Sequence, residues 1–389
     1  MRVLQLTSDW KWTGPAEPML VLMAALRARG HQVDLVCPEP PVSSNRNLWQ
    51  EACLRGLDPV EATLASRSAL RPGDGERARR LAGWLESDVV GRGYDIVQCW
   101  HSRDHVLAAR ALRLLPGARR RGDARLVRFL SHAGRIAPWP WHRWLFGAAC
   151  DGLVCVSEQT VRENRGLRGG RPIAATTGAV ALASLSPERS PRAVRRFLGV
   201  PEEAPLIAVV ARMQRHRRFD LLLAALRELL GTHPEARLLV IGRGTHADEV
   251  VGAPARALGI ESRVVHAGYR TDDYADVLAA ADCCTYLVPG SDGTCRALLE
   301  AAALGLPLVG SRRGAIPDII SNGQTGRLVE ETPEALASAW RGLLEDAEAR
   351  RAMGRAARAD ARGRFSPDRQ AAWLERFYRE VLASSGASS

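Results

Sequence analysis

Twice along this chain, short apolar runs alternate with longer stretches of helical periodicity, and no other feature narrows the fold as far. That alternation is the pattern of parallel strands joined by crossover helices. In the first series the apolar runs are Val3–Leu6, Val33–Cys37, Ile96–Cys99, Leu126–Phe129 and Leu153–Val156. Helices are predicted between them over Met19–Arg29, Glu76–Val90, His105–Leu115 and Trp144–Ala149. Met19, Leu22, Met23 and Leu26 form an i, i+3, i+4, i+7 stripe, and Gly30 closes that helix as a C-cap. Residues 183–205, rich in Ser and Pro, read as a connector. A second series follows, with strands at Leu206–Val210, Leu238–Ile241, Val264–His266, Cys284–Leu287 and Pro307–Val309. Its helices are Phe219–Leu230, His246–Leu258, Asp272–Ala281, Cys295–Leu304 and Pro333–Leu344, and the tail is helical over Ala347–Phe365 and Asp368–Leu382. The chain's 389 residues exceed what one core usually supports. The expectation is therefore an α/β protein of two doubly wound, Rossmann-like domains, residues 1–182 and 183–367. Such sheets bind ligands at the carboxyl ends of their strands, and facing domains put the ligand in a cleft.

Composition excludes several classes. Hydrophobic residues make up 46% and charged residues 25%, as in globular proteins. No apolar run reaches the roughly 18–20 residues of a membrane span. The first residues lead directly into a strand, without the charged and apolar regions of a signal peptide, so the expected location is cytoplasmic. Eight cysteines form no C-x-x-C pair, which favours reduced thiols over a zinc site or a disulfide framework. The net charge is +11, and Lys11 is the sole lysine among 54 basic residues. Residues 1–190 carry +9 and eight of the ten tryptophans; the rest carries +2. A basic, Trp-rich half suggests an anionic partner; scattered surface arginine is the plainer alternative. Nucleic acid is set aside, because no zinc spacing, helix-turn-helix pattern or RNP-like motif is present.

The most specific segment runs from Pro289 to Ile320. It reads strand, then Gly290-Ser291-Asp292-Gly293-Thr294, a helix containing Glu300, then Gly305-Leu306-Pro307 and another strand. Two carboxylates eight residues apart flank a helix start, about 12 Å apart if helical throughout. Free N–H groups at a helix start suit a diphosphate, and carboxylates accept from sugar hydroxyls. Taken singly, Asp292 reads better as a cap or turn residue and Glu300 as a solvated helix position, but Glu300 lies in an apolar stretch where an unpaired carboxylate is costly.

This segment resembles glycosyltransferase family 4, retaining nucleotide-sugar glycosyltransferases of the GT-B fold. The family's signature is Glu, seven residues, Glu, then Ala-x-Ala-x-Gly-x-Pro. Here Asp292 and Glu300 are followed by Ala301-Ala302-Ala303-Leu304-Gly305-Leu306-Pro307. The family's Arg-x4-Lys, which grips the donor diphosphate, is similar to Arg212 and Arg217, with Arg218 where glycine is usual. Arginine in place of lysine keeps the charge and adds a bidentate fork. Gly242 in Ile241-Gly242-Arg243-Gly244 resembles the strand-end glycines near the donor. Tyr269 in Ala267-Gly268-Tyr269-Arg270 lies in a segment that resembles the one meeting the nucleotide base. Gly14 resembles part of the Gly-Gly-x-Glu turn near the donor phosphate; Pro15, where the second glycine stands, has no N–H to offer. His132 in Phe129-Leu130-Ser131-His132 resembles the acceptor-side histidine, with His101 and His105 as lesser candidates.

The resemblance implies catalytic roles for His132, Asp292 and Glu300. It implies donor contacts from Gly14, Arg212, Arg217, Gly242, Tyr269, Asp292, Gly293, Thr294, Cys295, Arg296 and Glu300. Glu300 is expected to hold a ribose, and Asp292 with the Gly293-Thr294 backbone to orient the sugar. No cofactor and no metal are expected, the nucleotide-diphosphate sugar being a co-substrate. The last helix, 368–389, is expected to pack back on the first domain, which would take the acceptor; the second would take the donor. Asp292 is one methylene shorter than the family's glutamate, and Thr294-Cys295-Arg296 replaces a Phe-Gly-Leu-like stretch, so the donor's identity stays open. Two aromatic clusters, Trp10-Lys11-Trp12 and the run from Trp139 to Phe146, suit a sugar face, a membrane interface or a packed lid. A lipid-linked or anionic acceptor at a peripheral membrane surface is the partner they suggest. Two alternatives remain: a sugar-nucleotide epimerase of the same architecture, and a catalytically weak nucleotide-sugar binding protein.

Overall fold

The computed structural model describes residues 1–12, 16–43, 46–60, 74–86, 93–115, 124–132, 134–289 and 293–384. The predicted site residues Gly14 and Asp292, together with Pro15, lie outside the described residues. The chain divides into two compact units, broken at Ala179/Val180 and again at Ser366/Pro367; Gly293 and Thr294 group with the first.

The first unit is built on a six-stranded sheet in the order β2-β1-β3-β4-β5-β6. Its strands are β1 (Arg2–Leu6), β2 (Gln32–Val36), β3 (Ile96–Cys99), β4 (Arg125–Leu130), β5 (Gly152–Cys155) and β6 (Ile173–Ala175). Every pairing is parallel. The second unit has a parallel sheet in the order β12-β11-β10-β7-β8-β9. Its strands are β7 (Leu206–Val210), β8 (Arg237–Ile241), β9 (Val264–Gly268), β10 (Cys283–Tyr286), β11 (Leu308–Gly310) and β12 (Gly326–Leu328). Both faces of each sheet are covered, which is why the strands read as near-continuous apolar runs. In β4, Val127 and Phe129 enter one core while Leu126 and Leu130 enter the opposite one. In β7, Leu206 and Ala208 face one core and Ile207 and Val209 the other.

Among the described residues, ten strands and the long helices lie where the periodicity predicts them; residues 87–90 of the helix predicted over Glu76–Val90 lie outside the described residues. β6 and β12 are not predicted: each is three residues at a sheet edge, too short to stand out. Residues 183–205 are more than a connector. Ser190 caps a helix over Pro191–Phe197, and Val194 and Val200 are buried in the second unit's core. The helix predicted at Trp144–Ala149 is a turn over Pro140–His142 running into a wider i→i+5 segment, Arg143–Ala148.

The last helix, Pro367–Ala383, belongs to the first unit. Ala371, Leu374, Phe377, Tyr378 and Val381 complete a core of that unit. The buried Tyr378 hydroxyl donates to Gln98 Oε1 at 2.6 Å. Arg29 donates to Glu375 at 2.8 and 3.0 Å and to Asp368 at 2.9 Å. Not all of the arginine is surface charge. Arg168 is 1% exposed and donates to the carbonyls of Phe146, Cys150, Asp151 and Pro172. All eight cysteines are unpaired, seven of them buried.

Candidate functional site

In each sheet the strand order reverses at one place, and there the loops leaving neighbouring strands diverge and open a crevice. In the second unit that place is between β7 and β10. The loop after β7 carries Arg212 and Arg217. Arg217 Nη1 donates to the carbonyl of Val288, just beyond β10, at 2.7 Å, so one guanidinium ties the two diverging strand ends together. Its Nε–H is buried without an acceptor. Arg212 is exposed and has no partner among the described residues.

Arg218 follows at φ 59°, the one non-glycine residue at positive φ among those described. It precedes the helix Phe219–Leu229 and pairs with Asp220 at 3.3 Å and Glu331 at 3.1 Å. Gly242, at the end of β8, stands at φ 149° beside the β7 loop. A Cβ there would overlap the carbonyl oxygen of Ala211, so only glycine lets the two strand ends approach this closely. Tyr269, after β9, is 55% exposed, and the Arg243 guanidinium lies over its ring at 4.7 Å. That pair forms a flat, cationic platform next to the glycine turn.

Glu300 sits on the helix Arg296–Ala303, which follows β10, and is 7% exposed. Oε2 accepts from the Tyr274 hydroxyl at 2.6 Å, and Oε1 from Arg296 Nε at 2.7 Å. Burial first, and then the Glu300 charge, push the Tyr274 phenol well above its ordinary range, so it stays a donor. Arg296, expected as a direct donor contact, folds back along its own helix onto Glu300. Cys295 caps the same helix, but its thiol lies fully buried in the core, so only its backbone is left for a ligand. Thr294 is buried as well. Gly293, at φ 64°, packs within the first unit where a Cβ would overlap the Ser131 carbonyl oxygen.

In the first unit the order reverses between β1 and β3. There Thr7 Oγ1 and His101 Nδ1 are 3.1 Å apart. His101 caps the helix Ser102–Leu114, with Asp104 accepting from its backbone N–H at 2.9 Å. His132 follows β4, near the buried Arg128. Desolvation by the surrounding protein, and then the Arg128 guanidinium, hold its pKa below the ordinary histidine value. His105 is no site residue. It is fully buried against Phe146, with ring centroids 4.9 Å apart, and burial drives its pKa far down. Its helix turns it inward, which the sequence around it does not mark. Trp139 and Trp141 are exposed, at 69% and 42%, whereas Phe146 is packed inside.

Sequence reasoning missed two groups. Tyr274 lies 26 residues before Glu300, and no spacing rule connects them. Arg243 was visible only as part of a glycine turn. Among the described residues, no group of three or more His, Cys, Asp or Glu side chains is placed to hold a metal ion. No described helix is long and apolar enough to cross a membrane.

Comparison with known proteins matches both units. The family "Glycosyltransferase Family 4" matches residues 18–175, and "Glycosyl transferases group 1" matches residues 192–360. The chain is 34% identical over 204 residues to a D-inositol 3-phosphate glycosyltransferase of Corynebacterium kroppenstedtii, covering 50% of this chain and 45% of that one. It is 29% identical over 191 residues to an N-acetyl-alpha-D-glucosaminyl L-malate synthase of Bacillus anthracis, covering 49% of each. The match thus spans about half the length of these curated relatives. Among solved structures, a glycosyltransferase from Rickettsia africae superposes with a TM-score of 0.81 at 17% identity, over 100% of this chain and 99% of that one. Anabaena Alr3699/HepE in complex with UDP superposes with a TM-score of 0.76 at 18% identity, over 97% and 100%.

Proposed function

The chain belongs to glycosyltransferase family 4 and has the GT-B type of fold, and from that membership we propose that it moves a sugar from a nucleotide-diphosphate sugar to an acceptor with retention of configuration. The observation that carries this reading is Arg217, fixed across the β7 and β10 ends with exposed Arg212 on the same loop. A pair of guanidinium groups at a strand-order reversal is suited to a diphosphate. As the bond from sugar to diphosphate breaks, negative charge grows on the leaving oxygen. Fixed cations nearby stabilise that charge without reorganising. In this reading the charge is balanced by arginine and needs no metal or other cofactor.

The remaining roles are those the family resemblance implies, joined by the Tyr269–Arg243 pair. Glu300 accepts from the ribose hydroxyls. The Tyr269–Arg243 platform takes the base, since a guanidinium stacked on a ring presents a flat face to a planar ligand. Gly242 lets the backbone come close to the diphosphate. Asp292 and the Gly293-Thr294 backbone orient the sugar. His132, with its pKa held below the ordinary histidine value, can accept a hydrogen bond from the sugar or the acceptor.

The first unit takes the acceptor. A cavity of about 770 Å³ in that unit is lined by Arg79, Arg110, Arg113, Trp141 and Trp144 among others. Together with exposed Trp139 it supports an anionic or lipid-linked acceptor and contact with a membrane surface.

The test is release of nucleoside diphosphate from a panel of nucleotide sugars, with and without acceptor extracts, and product analysis. Arg217→Ala is expected to lower turnover by roughly a hundredfold or more, and EDTA to leave it unchanged. Conversion of the donor to an epimer with no acceptor present would overturn the transfer reading. Donor binding with no turnover under any acceptor would leave a binding protein instead.

A further inference from the structure

Glu300 is nearly buried, yet neither of its oxygens lacks a partner. One is held from the helix Tyr274–Ala279 by a phenol at 2.6 Å, the other from one turn earlier on its own helix by a guanidinium nitrogen at 2.7 Å. We infer that Tyr274 and Arg296 are positioning residues that clamp the Glu300 carboxylate in one plane, so that it recognises the paired hydroxyls of a ribose. The inference rests on the ribose reading of Glu300 proposed above.

A carboxylate accepts about four hydrogen bonds, so with one donor on each oxygen it keeps one acceptor site on each. A glutamate side chain left free in a pocket has several torsions, and ordering it on binding costs affinity. A clamp that acts before the ligand arrives removes that cost and sets the direction of the two open lone pairs. Two oxygens fixed side by side match two vicinal hydroxyls, and a deoxy sugar leaves one or both without a donor. Arg296, which departs from the family's usual residue, therefore acts through Glu300.

The test is calorimetric titration of the full chain with UDP and with 2′,3′-dideoxy-UDP, repeated with GDP and its dideoxy analogue. The unaltered protein is expected to bind a ribonucleotide at least tenfold more tightly than its dideoxy form. Tyr274→Phe keeps the half-buried ring and removes the hydroxyl alone. It is expected to weaken ribonucleotide binding roughly tenfold, leave dideoxy binding nearly unchanged, and so bring the ratio towards one. A loss confined to packing would weaken both ligands alike and would overturn the clamp. Arg296→Leu carries the same test from the other oxygen, with a smaller shift expected, and stands in if Tyr274→Phe fails to fold. If the unaltered protein binds ribo and dideoxy forms equally, the ribose reading of Glu300 fails. If it discriminates and both variants still do, the ribose reading stands and the clamp fails. If it binds neither nucleotide, both fall.

Discussion

Arg218 shows how a single position can carry opposing effects. It holds a left-handed backbone that glycine adopts at little cost and a residue with a Cβ adopts at about 1 kcal/mol. Glycine is usual there in the family that the motifs resemble. The guanidinium compensates by pairing with Asp220 and Glu331. Replacing it separates the two effects. Arg218→Ala keeps the strain and loses the pairs; Arg218→Gly loses both. Urea unfolding is expected to place the alanine variant below the glycine variant by about 1 kcal/mol. Equal midpoints would mean that the loop relaxes. His132 makes a second residue-level case. Its ring is expected to titrate below the unperturbed midpoint near 6.5. Arg128→Met, which removes the lesser of two causes, should raise that midpoint without restoring it fully. Histidine NMR titration reads both, and an unchanged midpoint in the variant would remove Arg128 from the account.

Among the elements, the last helix is the one whose place in the sequence says least about its place in the fold. It follows directly on the second unit's final helix, Ala347–Arg364, yet buries its apolar face in the first. Its amphipathic spacing marks a helix that packs on something. What it packs on is decided by Tyr378, whose hydroxyl reaches Gln98 on β3, and by Glu375, which meets Arg29. Tyr378→Phe leaves Gln98 Oε1 without its donor in a buried setting. The expected loss of stability is about 1–3 kcal/mol, measurable as a lower urea midpoint. A variant as stable as the parent would show that the tyrosine contributes packing alone. The edge strands β6 and β12 belong to this scale as well. Their three residues owe their conformation to the neighbouring strand's free backbone groups, and periodicity has too little length to register them.

For the whole molecule, the groups with shifted pKa values set the direction of the pH response. His31, His105 and His132 all have folded pKa values below 6.5, burial being the first cause in each. The unfolded chain therefore binds more protons than the folded one as pH drops through 6.5, so stability is full above that value and declines below it. The carboxylates of Glu51, Asp273, Asp276 and Glu375 are also held low, chiefly by arginine partners or hydrogen bonds acting against burial. Their contribution is present above the ordinary carboxylate range and lost below it. Both sets act in one sense, and urea midpoints should fall steadily from pH 7 towards pH 4. A flat profile between pH 7 and 5 would contradict the histidine part. No stabilisation on acidification is expected anywhere in that range.

Local pattern alone determined the two parallel sheets and the limits of most of their strands, while the arginine and glycine positions at the strand ends were marked by the family resemblance. Those features are legible because a doubly covered strand must be apolar throughout, and because a turn without room for a Cβ must be glycine. Only the tertiary structure decided which side chains stand free. It turned His105 inward, sank the Cys295 thiol into the core, folded Arg296 onto Glu300 and brought up Tyr274 from another helix. Partners of that kind are set by distance in space, and hydrophobic periodicity carries no information about which polar group a distant element presents.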